Sequence, residues 1–111
     1  MQAVLTIADL PPGPTDAAAA FHAHWLDRAR DDIRRLGGAD RALLILLPEA
    51  DHTHADWRLA AARALAREAA PARVNFVGCN DAAKAEEFAA YLRMAPGVTG
   101  QYFPANFQLG R

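Results

Sequence analysis

The chain has 111 residues, of which 52% are hydrophobic and 23% charged, and its formal net charge is −1. That balance suits one globular domain spanning residues 1–111 and excludes a disordered chain. It also excludes a nucleic-acid-binding surface, which needs a basic excess or stripe, whereas the charges here are mixed in sign along the chain.

A single cysteine, Cys79, permits no internal disulfide and suits a reducing, cytoplasmic compartment. The start, Met1-Gln2-Ala3-Val4-Leu5, lacks the basic segment and long apolar stretch of a signal peptide. No apolar run approaches the ~20 residues that a membrane helix needs. The expectation is a soluble protein with no membrane partner.

The pattern alternates strand and helix. Residues 3–8 form a short apolar run of strand type, broken by Pro11-Pro12-Gly13-Pro14. Thr15 or Asp16 can cap one long helix reaching Leu36, with Ala18, Phe21, Trp25, Ala29, Ile33 and Leu36 recurring every three or four residues. Gly37-Gly38 ends it. Residues 41–47 are apolar without alternation, the mark of a strand covered on both faces, and Gly38 and Pro48 confine the run to strand length.

A second helix starts near Thr53 or Asp56, carries Trp57, Ala61, Leu65 and Ala69, and stops at Pro71. Residues 73–79 are the third strand. Asn80 or Asp81 caps a third helix with Ala85, Phe88 and Leu92 on one face, ended by Pro96-Gly97. Residues 101–103 make a short fourth strand. Strands separated by helices predict an α/β fold: a partial Rossmann-like, three-layer arrangement of about four mostly parallel strands and three helices. Right-handed crossovers place the first two helices on the same face.

Two triplets, Arg73-Val74-Asn75 after an Ala/Leu/Glu-rich helix and Thr99-Gly100-Gln101 before the last strand, resemble the C-terminal half of the short-chain dehydrogenases/reductases. The resemblance covers nearly the whole chain but only the second half of that family's fold. It implies that residues 4–7 correspond to the family's fourth strand, and that the first two helices correspond to the pair forming its subunit contact. It also locates what the activity needs. The family's Gly-rich phosphate turn is absent, and Pro11-Pro12-Gly13-Pro14 removes amide donors instead of presenting them. Counting back from Ala64-Leu65-Ala66 places Asp51 at the catalytic tyrosine and Ala55 at the lysine. The chain contains no serine. The resemblance therefore implies neither a dinucleotide cofactor nor hydride transfer, and no catalytic residue is assigned.

Other chemistry has few candidates. The four histidines form two His-x-His pairs. His22 and His24 point ~200° apart on a helix and cannot share an ion. His52 and His54 lie in the loop after the second strand, with Glu49, Asp51 and Asp56 nearby, where α/β folds place their ligands. A zinc set from His52, His54 and Glu49 is one reading, and a polar loop capping the next helix is the other. Cys79 reads as a nucleophile near a helix N-terminus or as a small buried residue at a strand end. Arg28, Arg30, Arg34 and Arg35 alternate with Asp27, Asp31 and Asp32, a solvated face with local pairs.

Two functions compete. The first is a non-catalytic, cofactor-free domain that associates with itself or with a dehydrogenase-type subunit, through the open edge of residues 3–8 or through Trp25, Trp57, Ala61 and Leu65. The ground is that one helix, residues 82–94, is too little to cover the far face of the sheet together with the edge strand of residues 3–8. The second is a ligand or metal site in the crevice around His52, His54 and Cys79.

Overall fold

The computed structural model describes residues 1–109. Its four strands, β1 (Gln2–Thr6), β2 (Ala42–Leu47), β3 (Arg73–Gly78) and β4 (Tyr102–Pro104), form one parallel sheet in the order β1-β2-β3-β4. Three layers result. On one face lie α1 (Pro14–His24), α2 (Leu26–Arg35) and α3 (Ala55–Ala69), and on the other lies α4 (Ala82–Arg93).

The unbroken apolar run of β2 is explained by this sandwich. Leu43, Ile45 and Leu47 pack with Phe21, Ile33, Leu65 and Phe76 on the three-helix side, while Leu44 packs with Val77, Phe88 and Leu92 beneath α4. A strand buried on both faces loses the alternation of a half-exposed one.

Two expectations are corrected here. The segment 15–36 is not one helix but two, turned at Trp25 (φ −120°, ψ −22°). Periodicity hides the turn, because the hydrogen bonds from Trp25 N to Phe21 O and from Ala29 N to Trp25 O keep helical spacing across it. The buried residues are Ala17 and Phe21 from α1 and Ala29 and Ile33 from α2. The caps also differ. Gly13 precedes α1 without a side-chain cap, and Pro14 opens the helix with its preset φ. Asp51, not Thr53 or Asp56, caps the short 3-10 turn His52–His54 that leads into α3. Asp81 caps α4 as expected, accepting from Ala83 N and Lys84 N at 2.9 and 3.2 Å.

The far face is covered over β2 and β3 but not at β1. One helix does cover most of it: Leu44 and Val77 are buried, and Phe103 closes the end, edge-on to Phe107 at a centroid distance of 4.9 Å. Only Leu46 of β2 is half-buried. The apolar surface left over on this face lies towards its β1 edge, where Val4, in register with Leu44, is 49% exposed.

The two recognition triplets form one hydrogen-bonded unit. Asn75 Nδ2 donates to Val98 O at 3.0 Å, and Asn75 Oδ1 accepts from Gln101 N at 3.1 Å. Val74 N donates to Thr99 Oγ1 at 3.0 Å, and Gly100 N donates back to Val74 O at 2.7 Å. Gly100 does so at φ +71°, a conformation that glycine adopts without strain. Arg73 reaches the other way. Its Nη1 donates to Leu92 O and Ala95 O at 3.0 Å each, satisfying carbonyls at the C-terminus of α4, and its guanidinium pairs with Asp40 at 3.3 Å.

The charged face of α2 is as expected, with Arg28–Asp32, Arg30–Asp27 and Arg34–Asp31 pairs along the helix. Arg30 adds a two-pronged contact to Glu68 of α3 at 2.7 and 2.9 Å. That contact holds the Glu68 carboxyl below the usual carboxylate range and raises the Arg30 guanidinium above its ordinary value. Among the described residues no helix is long and apolar enough to cross a membrane.

Candidate functional site

The C-terminal ends of the strands carry the candidate site, because the sheet is parallel and every strand there hands over to a loop. Three openings lie along this rim. The largest, about 610 Å³, is lined by Glu49 to His52, by Ala55, Asp56 and Leu59 of α3, and by Tyr102 and Pro104 to Asn106. A groove of about 250 Å³ lies behind the 49–51 loop, between Pro11-Pro12 and Arg58. The third, about 270 Å³, is on the α4 side and is bounded by Thr6 to Ala8, Leu46, Cys79 and Asp81.

This division separates the residues that sequence proximity had grouped. His52 lies exposed at the largest opening, but His54 turns under the loop and is 6% exposed. Both His54 nitrogens are engaged: Trp57 Nε1 donates to Nδ1 at 3.1 Å, which places the proton on Nε2, 3.0 Å from Pro12 O. Glu49 is tied to the next loop, accepting from Asn80 N at 3.1 Å while Asn80 Oδ1 receives Glu49 N at 3.0 Å. His52, His54 and Glu49 therefore do not converge, and among the described residues no group of three His, Cys, Asp or Glu side chains could hold a metal ion. Cys79 is on the opposite side of the sheet, buried, with Sγ 3.4 Å from Asp81 O. The crevice that would join it to the histidines is not formed.

Asp51 stands where the resemblance places a catalytic tyrosine. Its carboxylate accepts from both the Thr53 hydroxyl and the Thr53 amide, and these bonds hold its carboxyl below the ordinary aspartate range. The group works as a cap. Ala55, at the lysine position, opens α3.

The interface candidates divide as well. Trp25 and Trp57 are half-buried against the core, whereas Ala61 and Leu65 are 6% and 3% exposed inside it. Ala61 and Leu65 are spent within one chain and present nothing to a partner.

One residue of the site escaped the sequence reading. Arg58 is 1% exposed, the largest fully buried side chain among the described residues. It sits with Ala61, Ala62, Leu65 and Ala66 on the buried stripe of α3, so an arginine on the apolar face was the available signal. Its Nη1 donates to Pro48 O at 2.9 Å and to the Tyr102 hydroxyl at 3.2 Å.

A parallel α/β sheet with helices on both faces and its openings at the strand C-termini defines a Rossmann-like domain. A family model described as a short chain dehydrogenase-like protein (SDR-like) matches residues 5–105, and the chain belongs to that family. No curated protein and no solved structure matches it.

Proposed function

We propose that the chain is a non-catalytic SDR-like domain that associates with a second copy of itself through the outer edge of β1. The observation that carries this reading is the state of that edge. β1 pairs with β2 only, through Met1 O and Ile7 N among others, so in a parallel ladder the amides and carbonyls of Gln2, Val4 and Thr6 point outward. No described strand, helix or loop covers them. The other edge of the sheet, β4, is three residues long and ends in Pro104, two devices that discourage pairing. β1 has neither device, carries no charge, and exposes Val4.

A two-fold axis beside Val4 would join two β1 strands antiparallel. Val4 would then face the copy's Val4 and Gln2 the copy's Thr6, each pair exchanging two hydrogen bonds. The absence of chemistry in this reading rests on Asp51 and Ala55 at the catalytic positions, with Asp51 committed to capping. Light scattering across a concentration series tests it. A species of twice the 12.0 kDa chain mass is expected. The variant Val4→Pro should be monomeric yet folded, since it deletes only an outward N–H. A monomer at all concentrations refutes the reading.

A further inference from the structure

We propose that Arg58 anchors a binding site for a short aliphatic carboxylate, in the groove behind the 49–51 loop. The guanidinium carbon lies 5.6 Å from the ring centroids of both Trp57 and Tyr102, so aromatic rings flank the buried cation. All of its hydrogen bonds leave through Nη1. Nε is buried and has no acceptor among the described residues, and Arg58 enters none of the ion pairs found among them. A buried cation with an unused N–H edge is an unfavourable arrangement unless something completes it. The Nε/Nη2 edge of a guanidinium matches the two oxygens of a carboxylate in one plane.

Arg58 lines a groove that has the size and lining for such a ligand. It holds about 250 Å³, and Leu10, Pro11, Pro12, Pro48 and Ala50 give it apolar walls suited to a short hydrocarbon tail. Arg58 lies in the first turn of α3, where the helix dipole adds positive potential. Glu49 and Asp51 at the rim are held by Asn80 and Thr53 and do not pair with Arg58. Their charges disfavour a dianion such as phosphate more than a single carboxylate, and His54 gives its Nε2 proton to Pro12 O.

The test is a titration of the whole protein with sodium butyrate, followed by the NMR resonance of the Arg58 Nε–H. A saturable shift of that resonance is expected with butyrate and not with butyramide, which has the same shape without the charge. Inorganic phosphate should bind more weakly than butyrate. The variant Arg58→Lys, if folded, should lose about tenfold to hundredfold in affinity, as expected for a charge-assisted bidentate contact. Should that variant not fold, the wild-type titration decides alone. An Nε–H signal unmoved by butyrate, or moved equally by butyramide or phosphate, overturns the proposal.

Discussion

The Arg58 guanidinium packs directly against Gly78: a β-carbon on Gly78 would lie 2.7 Å from Arg58 Nη1 and 2.9 Å from the Tyr102 hydroxyl. The glycine at the end of β3 is there to let a buried cation and a phenol meet. Nη1 cannot swing aside without losing Pro48 O and Tyr102. Gly78→Ala should therefore destabilise the fold by about 1–3 kcal/mol, the usual range for overpacking. Urea denaturation measures it, and a neutral result would show that Arg58 has room to move.

Arg73 does more for the fold than its ion pair suggests. Asp40 is 60% exposed in its side chain, so Asp40→Asn should cost less than about 1 kcal/mol. Arg73→Met also strips the donors from Leu92 O and Ala95 O, and should cost about 2–3 kcal/mol. Comparable losses in the two variants, measured by denaturation, would contradict this division.

Asn75 ties β3 to the entry of β4 from a position 2% exposed. Asn75→Ala leaves Val98 O and Gln101 N without their partner and should cost about 1–3 kcal/mol. Hydrogen exchange should quicken first at Gln101 and Gly100, where the unit is cut. Unchanged exchange there would show that β4 is held by packing alone.

The two triplets that suggested the family were legible because they are this unit. Arg73, Asn75, Thr99 and Gly100 satisfy specific backbone groups, and such requirements fix residue type. β2 was legible for a different reason: an apolar run bounded by Gly38 and Pro48 has few alternatives. The turn at Trp25 left no trace because the helical spacing of apolar residues survives it. The expected crevice of His52, His54 and Cys79 failed because proximity in sequence says nothing about which side of a sheet a loop residue takes. Arg58 was missed because the stripe of α3 was drawn through Trp57, Ala61 and Leu65 and left out its other half, Arg58, Ala62 and Ala66, which is buried as well.

Asp51 gives a pH dependence with a definite sign. Its carboxyl is held below the ordinary aspartate value by Thr53, so its contribution is present above that value and is lost as pH falls through the lowered one. Asp51→Ala should be less stable than the parent at neutral pH, and the difference should close under acid. Thermal melts from neutral to strongly acidic pH check it. A gap that stays constant across the series would mean that the cap does not depend on the charge.

Two copies are proposed to meet at the open edge of β1. Amide hydrogen exchange at Gln2, Val4 and Thr6, followed at low and high protein concentration, tests it most directly. If the edge pairs, these three amides, which have no acceptor among the described residues, become protected as concentration rises, while those of Leu5 and Ile7 change little. If Gln2, Val4 and Thr6 exchange at the unprotected rate at every concentration, the edge is free and the account is wrong.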